Sequence, residues 1–166
     1  EIAVFDQARA RLDPNATLWD SLTNDPLMAV SGSSDQVMVR GNPKHVIAYL
    51  KDFLFDERQA RAPVYSLSGG EKARLLLAKL MARPSNLLIL DEPTRGIDIQ
   101  AKDEIYQLMK QIAAEGTCIL FASSEIPEIV ALADRVLVMC QGQIQAELTG
   151  SQLNASNLLK EALPIL

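Results

Sequence analysis

Four consecutive apolar residues, Leu87, Leu88, Ile89 and Leu90, run straight into two carboxylates, Asp91 and Glu92, followed by Pro93 and Thr94. A short apolar run without polar alternation fits a strand buried on both faces, the environment of parallel sheets covered by helices. Ligands of open α/β sheets bind outside the carboxyl ends of such strands. The acidic pair falls at that end, although acidic residues there are also common as plain solvated loop starts.

About twenty residues upstream stands a second motif, Leu67-Ser68-Gly69-Gly70-Glu71, directly before an amphipathic stretch. Two glycines let a backbone approach an anion closely, and the helix behind them offers unpaired N–H groups at the positive end of its dipole. Ser68 adds a hydroxyl to the same cup. A glycine pair before a helix is by itself only a loop and a helix start; its weight comes from standing together with residues 87–94.

The 166 residues, 48% hydrophobic and 22% charged, are enough for one domain with a substantial core. A net charge of -5 offers no global basic field for DNA or RNA, so direct nucleic-acid binding is not expected. No apolar run approaches the roughly 20 residues that span a bilayer, and Glu1-Ile2-Ala3-Val4 has neither the basic start nor the apolar core of a secretion signal. A cytoplasmic location is the expectation. Cys118 and Cys140 lack metal or redox spacing and are expected as buried free thiols.

Along the chain, residues 1–5 alternate as a strand that delivers Gln7 to a loop, and Thr17 with Asp20 reads as an N-cap opening a short helix through Leu22. Residues 23–41 read as loop with one short strand at 37–39. Asn42 and Pro43 read as cap and first-turn proline of a helix carrying Val46, Ile47, Leu50, Phe53 and Leu54 on one face and ending near Phe55. Residues 56–63 form a connector. Leu75, Leu76, Leu77, Leu80 and Met81 mark a helix stopped by Pro84, and Ile105, Leu108, Met109 and Ile112 mark the next, stopped by Gly116. Residues 117–122 complete a βαβ unit as a second buried strand. A short helix opened by Ser124 and Pro127 reaches Ala133; strands at 135–139 and 143–148 flank Gln141-Gly142 as a hairpin; a helix over 154–163 follows.

At these residues the chain resembles the ATP-binding cassette (ABC) superfamily. The resemblance implies an α/β fold, a partial P-loop NTPase with a helical signature subdomain and the Walker A half missing. It implies three segments: 1–8 as Q-loop strand and loop, 9–83 as the signature subdomain, and 84–166 as the Walker B, D-loop and C-terminal part of the core. Residues 67–71 match the signature motif, which in this family contacts the γ-phosphate of ATP held by the opposing domain of a head-to-tail dimer. Ser68, Gly69, Gly70 and Glu71 are then nucleotide-binding. Residues 87–92 match Walker B, with Asp91 in the Mg2+ shell and Glu92 orienting or deprotonating the attacking water. Arg95-Gly96-Ile97-Asp98 matches the D-loop, and Gln7 matches the Q-loop glutamine that senses magnesium and contacts nucleotide.

Two departures limit these implications. No G-x-x-x-x-G-K-[ST] occurs in the sequence, so the loop that cradles the β- and γ-phosphates is lacking. Where the family places its switch histidine, this sequence has Ser124, which cannot replace an imidazole donor. The only histidine, His45, reads as a surface or packing residue.

The two halves resemble different branches. Residues 1–94 look like the Uup-like ABC-F family of soluble, ribosome-associated ATPases. Residues 91–166, with Arg95-Gly96-Ile97-Asp98 and Ser123-Ser124-Glu125-Ile126-Pro127-Glu128, look like the C-terminal cassette of sugar importers of the ribose, xylose and arabinose type, where serine at the histidine position is usual. The two patterns meet inside residues 87–94, as a chimera would.

The resemblance implies ATP and Mg2+ as cofactors. It implies a second ABC cassette as partner and membrane permease subunits beyond it, at the inner face of the membrane, with the ribosome as the alternative. The isolated chain is expected to be inactive as an ATP hydrolase, and unpaired strand edges are expected to make it associate. A catalytically silent interaction module is the rival reading. A split head of the Rad50 or SMC kind would need long heptad arms, which the sequence lacks.

Overall fold

A computed structural model describes residues 2–6 and 12–163, which form two compact units, Glu1–Ala122 and Ser123–Leu166.

The first unit is built on a parallel sheet of order β1 (Ile2–Asp6), β5 (Leu87–Asp91) and β6 (Cys118–Ala122). Its register pairs Ile2 with Leu87 and Leu87 with Cys118, ending on Asp6, Asp91 and Ala122. Helix α3 (Gly69–Met81) packs near β1, α4 (Ile99–Ala114) packs near β6, and the two helices touch each other. Leu88 and Leu90 are fully buried. Their strand neighbours Leu87 and Ile89 point the other way and are only half-buried, beside Ile2 at 65% and Leu120 at 57% exposure. The expected parallel strand at 87–90 is present. The second strand is not buried on both faces: Cys118, Leu120 and Ala122 are exposed, while Ile119 and Phe121 on the alternate face are half-buried, and α4 packs near the strand. Cys118 is consequently exposed rather than buried, and Cys140 is half-buried; both are free.

Between β1 and α3 the chain makes a smaller layer. Helix α1 (Leu18–Thr23) starts where Thr17 accepts the Asp20 N–H, as its cap pattern predicts. The stretch read as loop is instead an antiparallel sheet of β2 (Ala29–Val30), β3 (Ser33–Val39) and β4 (Asn42–His45). The turn between β3 and β4 is Arg40-Gly41, with φ of 48° and 85°, the two-residue geometry that matches strand twist. Asn42 and Pro43 therefore belong to a strand rather than to a helix start. Pro43, opposite Met38 on the outer strand, has no N–H to donate and is tolerated at an edge.

Helix α2 (Val46–Asp52) begins one turn later than expected and ends before Phe53. His45 is its N-cap: Nδ1 accepts the Ile47 N–H at 3.2 Å, and its ring meets Trp19 edge-on. Leu18, Leu22, Met28, Val37, Val46 and Leu50 form the interior of this layer. It is tied to α3 by the Tyr49 hydroxyl, which donates to the Ala78 carbonyl at 2.6 Å. The connector holds one 3-10 turn, Glu57–Arg61, and a second, Val64–Ser66, follows it before residue 67.

The second unit contains α5 (Ile126–Leu132), the hairpin of β7 (Arg135–Cys140) and β8 (Gln143–Thr149), and α6 (Ala155–Ala162). Gln141 and Gly142, at φ of 50° and 78°, form its two-residue turn, as the sequence predicts. Val138, Leu148 and Leu158 make its core.

Candidate functional site

The start of α3 is closed by a reciprocal cap. Ser68 Oγ accepts the Glu71 N–H at 3.2 Å, and the Ser68 N–H donates to Glu71 Oε2 at 2.8 Å, the box expected of serine followed by glutamate at the third helical position. The other Glu71 oxygen accepts from Gln59 Nε2 at 2.6 Å. Burial works against the Glu71 charge, but the Ser68 N–H, the Gln59 amide, the Ser68 hydroxyl and the nearby Arg74 outweigh it and hold the carboxyl below its usual range. Among the described residues, the N–H groups of Gly69 and Gly70 are left at the open end of the helix, where a dipole favours negative charge.

The end of β5 leads into the same place. Asp91 is exposed at the strand terminus. Glu92 follows with φ of 46°, its N–H bonded to the Ala122 carbonyl at 2.9 Å, so the chain leaves the sheet sharply. Pro93 and Thr94 are buried. The Arg95 N–H donates to the Glu92 carbonyl and the Ile97 N–H to the Thr94 carbonyl, with Gly96 at φ 74° between them. Asp98 then caps α4, Oδ1 accepting from the Ala101 N–H at 3.0 Å.

These two helix starts lie against each other. A Cβ placed on Gly70 would stand 2.4 Å from the Ala101 Cβ and 3.4 Å from Ile97 Cγ2, while one on Gly69 would meet the Gly96 carbonyl oxygen at 3.9 Å. Gly70 is thus bare because another helix occupies the space. Ser68, Glu71, Asp98 and Ala101 line a cleft of about 300 Å³ at this junction.

Residues 68–71 are therefore brought together with the 95–98 turn and Asp98, and Asp91 and Glu92 feed directly into that turn. Ser124 belongs to the second unit, in the turn before α5. Gln7 lies outside the described residues. Among the described residues no three His, Cys, Asp or Glu side chains gather as a metal group. A lone exposed Asp91 carboxylate fits magnesium, which is held through one or two carboxylates with phosphate and water completing its shell.

Arg74 and Gln59 carry no motif in the sequence, and Glu104 enters it only in Glu104-Ile105-Tyr106, a segment that resembles the sugar-importer cassettes. Arg74 is 7% exposed and forms an ion pair with Glu104 of α4. The signal was present: Gly70, Arg74, Leu77 and Met81 fall on one helical stripe, and a charge on an otherwise apolar stripe marks a partner across the interface.

A parallel sheet whose strands β1 and β5 end on Asp6 and Asp91, with two helix starts beside it, belongs to the α/β class, in which ligands bind at the carboxyl ends of the strands. Residues 1–95 match the family model described as ABC transporter, and the chain belongs to that family. It is 47% identical over 120 residues to the ATP-binding protein Uup of Escherichia coli (strain K12), a match covering 72% of this chain and 17% of Uup. It is 40% identical over 121 residues to the ribose import ATP-binding protein RbsA of Rhodopirellula baltica, covering 73% of this chain and 24% of that protein. The fold is similar to the ATP-binding cassette MJ0796, solved as a dimer in a post-hydrolysis state bound to ADP and Pi, with a TM-score of 0.66 and 22% identity over 90% of this chain and 62% of that one. The chain thus spans about a quarter or less of the two curated relatives.

Proposed function

We propose that this chain is the nucleotide-binding (ATPase) segment of an ABC protein, supplying signature motif, Walker B and D-loop to an ATP site whose P-loop comes from elsewhere. The observation that carries the proposal is the contact between the capped start of α3 and the turn that leaves Glu92. In this reading the Gly69 and Gly70 N–H groups, with Ser68, face the nucleotide of a second cassette in a head-to-tail dimer. Asp91 would hold Mg2+, with Gln7 as a further ligand, and Mg-ATP supplies the phosphoryl group and its charge neutralisation when bound. Glu92 accepts the proton of the attacking water, from its place directly after the end of β5. Glu71 serves as the cap that fixes the helix start, and Asp98 orders the D-loop end of α4. Ser124 stands at the sequence position of the family's histidine, and its hydroxyl has no imidazole ring to titrate.

The test is ATP turnover. Purified chain alone should show none; addition of a P-loop-bearing cassette should produce it, and Glu92→Gln should abolish it. Steady turnover by the chain alone, lost in Glu92→Gln, overturns the reading.

For the whole protein we infer carbohydrate import, with permease subunits as partners at the inner membrane face. Its support is the Arg95-Gly96-Ile97-Asp98 and Ser124 pattern together with the ribose-import relative. The identity to Uup favours a second reading, an ABC-F type ribosome-associated ATPase. Co-sedimentation with ribosomes, against capture by permease subunits in detergent, separates the two. Among the described residues no helix is long and apolar enough to cross a membrane.

A further inference from the structure

We propose that Arg74 is a positioning residue that locks the start of α3 to the start of α4, so that the Gly69–Gly70 amides and the 95–98 turn move as one body. This rests on the nucleotide reading for its consequence, though not for its test.

The Arg74 side chain is 8% exposed and pairs with Glu104, which is 37% exposed, on the facing helix. Its guanidinium lies 5.2 Å from the centroid of the Phe55 ring, and its Nε is buried without a hydrogen-bond partner. A buried arginine with one donor left unsatisfied is a poor way to gain stability, since desolvation of the pair offsets most of its attraction and an apolar side chain of similar size would do as well. What the arginine supplies and an apolar residue cannot is direction: Nη1 meets Glu104 Oε2 across the two helices while the plane of the guanidinium lies near the Phe55 ring.

The connections on either side continue the lock. One turn earlier, Glu71 receives the Ser68 N–H at 2.8 Å and the Gln59 amide at 2.6 Å. The Gln59–Glu71 hydrogen bond and the Arg74–Glu104 ion pair, three residues apart along α3, thus mark a path from the 3-10 turn through the body of α3 to α4, with Arg74 acting on Glu71 through its charge alone. Beside this path Gly70 is already in contact with Ala101, three residues past the Asp98 cap. A displacement of the 95–98 turn is thereby delivered to the amides of residues 69 and 70. The same cleft residues that would face nucleotide are the ones held by the path.

The test is amide hydrogen exchange on the full chain, with global stability measured in parallel by urea unfolding. Arg74→Met keeps the volume and removes the fork; Glu104→Gln removes the charge opposite; Arg74→Lys keeps the charge without the planar geometry. The expected result is exchange about three- to tenfold faster at the hydrogen-bonded amides of Glu71 and Lys72 and at those of Ala101 and Lys102 together in Arg74→Met and in Glu104→Gln, the double variant being no faster than either single one, with partial rescue in Arg74→Lys. An arginine that only fills space would leave local exchange unchanged in Arg74→Met, and that result overturns the proposal. So does acceleration on one helix alone, or additive effects in the double variant. If Arg74→Met fails to fold, Glu104→Gln and Arg74→Lys decide the matter by the same two sites. No nucleotide enters the measurement, so failure of the ATP turnover experiment leaves it standing and the reverse also holds.

Discussion

Replacing Gly70 with alanine adds a single methyl group where the structure has least room. The new Cβ would sit 2.4 Å from the Ala101 Cβ, whereas carbon atoms in contact settle at about 3.5 to 4.0 Å. The neighbour is a Cβ fixed to its backbone, not the tip of a flexible side chain, so α3 and α4 must separate by about 1 Å or more. Overpacking of this kind costs about 1–3 kcal/mol, and the better helix propensity of alanine returns at most about 1 kcal/mol. The expected net loss is about 1–2 kcal/mol, read as a urea midpoint lower by about 0.5–1 M at an ordinary denaturant slope. Ala101→Gly should itself cost about 1 kcal/mol. It should make Gly70→Ala nearly harmless when the two are combined, a coupling that a double-mutant cycle measures. Gly69→Ala, whose added Cβ meets only the Gly96 carbonyl oxygen at 3.9 Å, is the control and should unfold near the wild-type midpoint. Wild-type stability in Gly70→Ala, or strictly additive effects with Ala101→Gly, would refute the packing argument.

Other outcomes follow from single contacts. Tyr49→Phe removes the hydroxyl that donates to the Ala78 carbonyl, which the Ala82 N–H still reaches; stability should fall by about 0.5–1.5 kcal/mol in urea unfolding. Asp25 and Glu71 are both held below their usual ranges. In each, burial opposes the charge and is outweighed, for Asp25 by the Leu27 N–H, Lys79 and Arg83, and for Glu71 by the Ser68 N–H and the Gln59 amide. A depressed carboxyl binds its proton more readily in the unfolded chain, so its contribution is complete above the unfolded value near pH 4 and is lost as pH falls through the folded one. Glu71→Gln should flatten the acid limb of a stability–pH curve, and an unchanged limb would count against the capping box as its source. Leu120→Lys, at the exposed face of β6, should reduce self-association in sedimentation velocity without lowering the unfolding free energy by more than about 0.5 kcal/mol.

Elements whose ends are marked by side-chain chemistry were legible. Thr17 with Asp20, Ser68 with Glu71, and Asn154 with Asn157 each cap the helix that follows them, and Gln141-Gly142 turns the hairpin. The strand at 87–91 was legible because nothing polar interrupts it. The sheet of β2, β3 and β4 was not, since Ser33, Asp35, Gln36 and Pro43 break the alternation a half-buried strand would show. Its turn places a non-glycine residue, Arg40, at positive φ, which no local preference announces. The candidate site was readable as a set of residues and unreadable as an arrangement. That Gly70 gives way to Ala101, and that Arg74 reaches Glu104, depends on how two helices separated by β5 come side by side.

The parallel pairing of β1 with β5 also orders the assembly of the chain. β5 and β6 can meet once residues 87–122 are ordered, with α4 as their local bridge. β1 must find its place from residue 2 against residue 87, after the whole intervening layer has been threaded. Closing the longer loop costs only about 0.6 kcal/mol more per doubling of length, but such distant contacts are the slow ones to form. During synthesis β1 therefore stays without this partner until residues 87–91 have been made, and the β1–β5 seam closes only after the layer between them has taken shape.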